Sequence, residues 1–314
     1  MGLTFRAATV ADCPAMLRIR LDSCVTDQVD PHSIVLAESV PTLTEIENSV
    51  RHKDARDTIM IMWDGQTILG YAQIAWWYEV DGTTVYLHRD WVHPDHRDPS
   101  TMRWMLARVH RRITTLASLH RAEVTAVIAT NVSESEHERK TLIEAYGYRA
   151  EWTQIEMEFT DFDRLMPYPV PEGITIRPVR AEDYRTVWQL NSAVYAGTWG
   201  ATPPDFDDFL EVFDHPHLCD AAWEGGQIVG FVIGRTRRGV GFIDEMTVAT
   251  PHQRRGIAAA LLSRNLARYP TLGLPSVRLQ TDAANLAGAR ALYEMLGFKP
   301  LKLHLKYRRP TPYL

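Results

Sequence analysis

Cysteine is scarce in this chain of 314 residues, and the three present, Cys13, Cys24 and Cys219, are odd in number with no metal-like spacing. A disulfide framework and a thiolate metal site are therefore both unexpected, and the usage fits a reducing cytoplasm. Long apolar runs are missing as well. No uninterrupted stretch approaches the roughly 18 residues of a membrane span. The first residues carry no apolar core of a signal peptide, and Arg6 stands where a myristoylation signal needs Ser or Thr. Nor is there an excess of positive charge: 34 Lys and Arg against 39 Asp and Glu give a formal net charge of −5, which argues against a nucleic-acid partner. Histidines do not fill the gap. His215 and His217 flank Pro216, and His93 lies near His96, but neither pair brings a third ligand or a helical His-Glu frame, so no metal is expected.

What is present suits a globular protein of about two domains: 45% hydrophobic and 23% charged residues over this length. Three patterns recur in the same order. Residues 3–12 and 174–183 both read as a short strand leading to a helix, with Arg6 and Asp12 matched by Arg177 and Asp183. Trp63-Asp64-Gly65-Gln66-Thr67-Ile68-Leu69-Gly70-Tyr71 matches Trp223-Glu224-Gly225-Gly226-Gln227-Ile228-Val229-Gly230-Phe231 without a gap, and both read as hairpins. Tyr146-Gly147-Tyr148-Arg149 matches Leu296-Gly297-Phe298-Lys299. A duplicated domain follows. The proline-spaced stretch 166–173 reads as a stiff linker, giving domains at 1–165 and 174–314.

Residues 241–298 carry the chemistry. Phe242-Ile243-Asp244-Glu245-Met246-Thr247-Val248 reads as a strand that ends at Pro251, and residues 256–269 read as a helix that Pro270 ends. Gln253-Arg254-Arg255-Gly256-Ile257-Ala258 is thus a strand-to-helix loop. The first amides of a helix lack internal partners and lie at the positive end of its dipole, so they favour an anion. Gly256 and the small Ala258 permit close approach, and Arg254 and Arg255 add charge; together these describe a pyrophosphate seat. Further on, Val277-Arg278-Leu279-Gln280 reads as a strand. Asn285 then opens a helical run to Leu296, placing Asn285, Ala289 and Tyr293 on one side before Gly297.

Gln253-x-x-Gly256-x-Ala258 after a strand, then Asn285 and Leu292-Tyr293-Glu294-Met295-Leu296-Gly297-Phe298, resembles the acetyl-CoA-binding core of the GNAT superfamily of N-acetyltransferases. The resemblance implies an α/β fold class with a mixed, twisted sheet, as two tandem acyl-CoA N-acyltransferase (GNAT) domains. It implies acetyl-CoA as co-substrate, seated by residues 253–258 and Asn285, with backbone amides near Met246, Thr247 and Val248 holding pantetheine and the thioester carbonyl. Tyr293 becomes the acid for the leaving thiolate. Glu245 is the expected general base, with Asp244 or water as alternatives; period-two alternation puts Glu245 on the sheet face opposite Asp244 and Met246. The acidic, aromatic string Asp205-Phe206-Asp207-Asp208-Phe209 with Glu211 would border the acceptor site.

The first copy departs from this pattern. With Val92 set on Val248, Arg97 falls on Gln253, Asp98 on Arg254, Pro99 on Arg255, Ser100 on Gly256 and Met102 on Ala258, while Ile143 replaces Tyr293. A carboxylate would then face the phosphates and a proline removes an amide, so this domain is expected to be a degenerate scaffold or cleft wall. The expected activity is transfer of an acetyl group to a small-molecule amine, by a monomer or homodimer. The competing expectations are a non-catalytic acyl-CoA sensor and a peptide or protein N-acetyltransferase.

Overall fold

The structure is a computed structural model that describes residues 2–31, 33, 39–120, 125–202, 205–213, 217–237, 239–284 and 288–311. The chain divides into two compact units, Met1–Trp152 with His304–Leu314, and Thr153–Leu303. The elements of the N-terminal half are β1 (Thr4–Ala7), α1 (Cys13–Asp27), α2 (Leu43–Arg51), α3 (Ala55–Thr58), β2 (Ile59–Trp63), β3 (Ile68–Tyr78), β4 (Thr84–Val92), α4 (Pro99–Leu119), β5 (Ala126–Ser133), α5 (His137–Ala145) and β6 (Arg149–Phe159). The C-terminal half continues with β7 (Thr175–Pro178), α6 (Tyr184–Tyr195), α7 (Phe206–Leu210), β8 (His217–Glu224), β9 (Gln227–Arg237), β10 (Val240–Val248), α8 (Ile257–Leu266), β11 (Val277–Asp282), α9 (Ala289–Met295) and β12 (Lys299–Pro310).

Each unit is a mixed sheet with helices on its faces. In the first, β1 to β5 follow one another in order, and residues 304–310 of β12 close the sheet against β5. In the second, β7 to β11 follow in order, and residues 154–159 of β6 close the sheet against β11. The closing strand of each sheet therefore comes from the other half of the sequence, and the proline-spaced stretch 166–173 lies inside the second unit. Among the described residues, no helix is long and apolar enough to cross a membrane.

The helices form where apolar spacing and end signals agree. Asp98 caps α4, Pro99 takes its first position, and Met105, Val109, Ile113 and Leu116 form its buried stripe. Each such side chain, once fully buried, contributes about 1.5–3 kcal/mol before chain entropy is subtracted. Their counterparts on α8 are Leu261, Leu262 and Leu266, followed by Tyr269, whose hydroxyl donates to the Phe242 carbonyl at 3.2 Å. Gly241 is needed beneath that ring, since a Cβ there would sit 2.4 Å from Tyr269. Arg6 and Asp12, one of the repeated Arg-Asp spacings, form a bidentate pair at 2.7 Å for both bonds. Arg177 does not repeat it, and its guanidinium lies 3.7 Å over the Trp223 ring.

The two sheets share a parting of parallel strands but treat it differently. In the first unit β4 and β5 pair only from Thr84 to Leu87, and beyond that point side chains fill the gap. Arg139 of α5 donates to the Asp90 carbonyl at 2.5 Å, to its carboxylate at 3.0 and 3.1 Å, and to Thr130 Oγ1 at 2.8 Å. Burial alone would push the Asp90 carboxyl up, but Arg139 and His88 outweigh it and hold it well below the usual range. In the second unit Ala289 occupies, counted back from the shared Gly-aromatic ending, the place that Arg139 takes, and it is too short to fill anything.

A buried polar chain continues from that pair. His88 Nδ1 lies 2.7 Å from Asp90, His88 Nε2 lies 2.8 Å from the Tyr148 hydroxyl, and that hydroxyl lies 2.7 Å from His110 Nε2. With both imidazoles neutral, every donor in the chain meets an acceptor. Burial lowers His88 below its ordinary value, and burial with the neighbouring His88 lowers His110 to about 3. In the unfolded chain both titrate near ~6.5, so the unfolded state binds more protons below that pH. The stability they confer is complete above pH ~6.5 and is lost as pH falls, for His110 as pH approaches about 3, with a limiting slope of about 1.4 kcal/mol per pH unit for each imidazole. Thermal unfolding followed against pH should show the decline beginning near ~6.5, well above the range of carboxylates. A melting temperature flat down to pH ~5 would count against this role.

Candidate functional site

The site of the second unit begins where β10 leaves β11. These parallel strands pair at Gly241 with Val277 and Phe242 with Arg278 and then part. On its other edge β10 stays paired to β9, with a bulge between Ile243 and Glu245. Past the bulge, Ala249 N–H bonds the Val229 carbonyl on the β9 side, so alternation turns the N–H groups of Met246 and Val248 towards the gap. Their carbonyls point the same way and are met by side chains: the Tyr195 hydroxyl donates to Met246 O at 3.3 Å, and Gln253 Nε2 to Val248 O at 3.0 Å. Thr247, on the opposite face, is buried and donates from Oγ1 to Asn191 Oδ1 at 2.8 Å.

The bulge corrects the expected alternation. Glu245 pairs with Ile233 and Thr247 with Phe231, so these share the α6 face, while Ile243 and Met246, three residues apart, both reach the core beneath α8. Asp244 is the extra residue. It pairs with Arg235 at 2.5 Å and has an ionic partner of its own, whereas Glu245 makes no hydrogen bond or ion pair among the described residues. Burial, then the charge of Asp244, pushes the half-buried Glu245 carboxyl up to about 7 against the pull of Arg235.

The loop beyond the strand supplies a second feature. Arg254 has φ of 63° and Gly256 of 84°, with a negative φ at Arg255 between them. Such alternation of hand makes a concavity of backbone amides, and it opens onto the N-terminus of α8. Gly256 is the N-cap of that helix and brings no side-chain acceptor to its first amides. The Arg255 guanidinium is already held by Glu224, at 2.6 and 3.2 Å, and His252 Nε2 lies 2.9 Å from the same carboxylate. Its side chain therefore braces the loop. Arg254 is exposed, makes no ion pair among the described residues, and reaches to 2.8 Å from where a Cβ on Gly288 would lie, at the start of α9. Ile257 is buried in the core and Ala258 is half-buried.

The first unit shows the same loop closed. Arg97 Nε donates to the Val92 carbonyl at 2.8 Å, the bond that Gln253 makes to Val248, so the correspondence of the two loops is physical. Asp98 then turns its carboxylate onto the helix, accepting from the N–H groups of Ser100 and Thr101 at 2.9 and 3.0 Å and from both hydroxyls. Those hydrogen bonds hold Asp98 well below the usual carboxylate range. An anion seat exists here, and the chain's own carboxylate occupies it.

Tyr293, on α9, is 7% exposed, and its ring packs edge-on against Phe298 with centroids 5.8 Å apart. Its hydroxyl has no hydrogen-bond partner among the described residues. Burial raises its pKa first, and the charges of Tyr195 and Glu245 raise it further, which groups the three side chains electrostatically. Tyr195 was not singled out by the sequence. Its phenol is pushed up to about 12 by burial and by Glu245. The only signal was helical spacing of Trp188, Asn191 and Tyr195 along α6. Asn285 lies outside the described residues. Asp205 proves to be the N-cap of α7, accepting from Asp207 N and Asp208 N at 2.7 and 3.1 Å.

Residues 184–298 match the profile of the Acetyltransferase (GNAT) family. Mycothiol acetyltransferase of Streptomyces avermitilis is 27% identical over 258 residues, 79% of this chain and 79% of that protein. The fold resembles a GCN5-related N-acetyltransferase from Sphaerobacter thermophilus, with a TM-score of 0.80 at 24% identity over 98% of this chain and 96% of that one. It also resembles a tandem GNAT protein from the clavulanic acid biosynthesis pathway, with a TM-score of 0.71 at 16% identity over 100% of both.

Proposed function

We propose that this chain, whose residues 184–298 belong to the GNAT family of acetyltransferases, moves an acetyl group from acetyl-CoA to a primary amine of a small molecule, with the chemistry in the C-terminal unit. The observation that carries the reading is Glu245: a half-buried carboxylate without a hydrogen-bond or ion-pair partner among the described residues, raised to about 7, beside strands that have parted. A base poised near neutrality is the kind that takes a proton from an attacking amine.

The residues present suit acetyl-CoA. The amides of the concavity at residues 254–256 and of the α8 N-terminus would hold the pyrophosphate with Arg254 beside them, and the Met246 and Val248 amides would pair with pantetheine and the thioester carbonyl. Bound there, the co-substrate supplies the activated acetyl carbonyl. Glu245 accepts the amine proton as the N–C bond forms. Tyr293 gives its proton to the departing sulfur as the C–S bond breaks, and the proton on Glu245 returns to Tyr293 through solvent. The two are coupled: the negative charge on Glu245 raises Tyr293, so Tyr293 becomes a stronger acid once Glu245 is protonated. Transfer is direct, in a ternary complex. The single cysteine of this unit, Cys219, is buried and pushed up to about 12, which disfavours an acetyl-thiol intermediate. Cys13, Cys24 and Cys219 are buried and form no disulfide, which supports a cytoplasmic setting.

The test is a calorimetric titration of the full chain with acetyl-CoA, followed by an amine panel. One site per chain is expected, because Asp98 and Arg139 occupy the corresponding places in the first unit. Gly256→Val should weaken binding by about tenfold or more, since the left-handed backbone disfavours any Cβ and a Cβ would lie 3.2 Å from Tyr168 Cε1. Two sites, or an unchanged dissociation constant in the variant, would defeat the assignment of the loop. Binding without amine-dependent thiol release would leave a sensor rather than an enzyme.

A further inference from the structure

The first unit has a cavity of its own, on the α1 side of β4, with room of about 30 Å³ and a lining that includes Arg20, Ser23, Arg89, Asn131 and Arg139. Its position follows from register. The β3–β4 pairing sets Gly70 against Val92 and Gln73 against Arg89, and the β9–β10 pairing sets Gly230 against Val248 and Ile233 against Glu245. Arg89 and Glu245 thus occupy the same station, each three residues before the matched valine. Where the second unit presents a carboxylate, the first presents a guanidinium. The charge of the site has been reversed.

Arg89 is partly buried and makes no hydrogen bond, ion pair or ring contact among the described residues. Burial lowers it first, and the charge of Arg20 lowers it further. Arg20 lies with its guanidinium 4.0 Å over the Trp91 ring and donates to the Ser39 carbonyl at 2.8 Å. The acidic residues of the lining already have partners other than Arg89: Asp27 with Arg97 at 2.6 Å, Asp90 with Arg139 and His88, and Glu136 with the Ser133 amide at 2.7 Å. A guanidinium without a partner among the described residues, next to a second cation in a small, half-open recess, is an unfavourable arrangement that an anion relieves.

We infer that this cavity binds the carboxylate head of a small organic acid, gripped bidentately by Arg89. The planar fork of a guanidinium matches a carboxylate, and room of about 30 Å³ suffices for two water-sized atoms, the two oxygens of that head. Ser23 and Asn131 line the same space and add neutral polar groups. This site is independent of the transfer chemistry assigned to the second unit.

Thermal unfolding of the full chain, titrated with sodium acetate, sodium succinate or sodium phosphate at constant ionic strength, tests it. A saturable rise in Tm is expected with at least one of the two carboxylates. Arg89→Leu should abolish that rise while melting, without ligand, at or above the parent temperature, because it removes a cation that has no partner among the described residues. Arg89→Lys keeps the charge without the fork and should weaken binding by about tenfold. No saturable rise with either carboxylate would overturn the proposal, as would an equal rise in Arg89→Leu. A rise with phosphate alone would also overturn it, since the cavity would then select a tetrahedral anion. If Arg89→Leu fails to fold, an undiminished affinity in Arg89→Lys overturns it equally.

Discussion

Glu245→Gln is expected to lower kcat by about 10²–10⁴-fold and to erase the rise of kcat with pH through neutrality. Gln keeps the shape and removes only the proton acceptor. The wild-type carboxyl is raised to about 7, so below that pH it is protonated and cannot serve; above it the base is present. The sign of the profile is therefore an increase with pH whose midpoint lies near 7. Because Glu245 has no hydrogen-bond partner among the described residues, the substitution breaks no contact and should leave the melting temperature close to that of the parent. Initial rates of thiol release at saturating co-substrates, measured across pH, check it. A variant that keeps the same limb and the same rate would move the proton to Asp244 or to water, although Asp244 is held by Arg235 at 2.5 Å.

Tyr293→Phe is expected to lower turnover by about 10²–10³-fold with little change in the affinity for acetyl-CoA. The ring is fixed by Phe298 and the surrounding core, and Phe keeps that packing. Only the hydroxyl is lost. Its pKa is raised by burial and by the charges of Tyr195 and Glu245, so it stays protonated through the working range and can deliver its proton when sulfur departs. The comparison to make is kcat against the calorimetric dissociation constant. Turnover that survives in the variant would pass the role to Tyr195, whose hydroxyl already sits on the Met246 carbonyl.

Much of this site could be read from local sequence, because its parts are contiguous. The strand ending at Val248, the glycine at 256 and the helix behind it are encoded within about two dozen residues, where propensity and spacing act directly. What could not be read is set by contacts between distant stretches. The bulge at Asp244 depends on how β10 fits β9, and a run of alternating residues gives no sign of it. Tyr195 meets Met246 across 51 positions. The roles of Arg255, taken by Glu224, and of Asp98, folded onto its own helix, need side-chain geometry that a motif does not contain. The tandem arrangement was legible from the repeats, but nothing in residues 299–310 says that their last seven would close the sheet of the first unit.

That division of β12 has a bearing on biosynthesis. Residues 126–133 are made long before residues 304–310, the strand segment that covers them, and everything in the second unit is translated in between. Until then β5 waits on the ribosome with an unsatisfied edge, a template for unwanted pairing between nascent chains. The earlier half of the gene thus encodes a body that matures last. It also follows that the two halves, once duplicated, lost the freedom to be separated: a cut after Leu303 removes no residue of the second unit, yet it leaves the first without its closing strand.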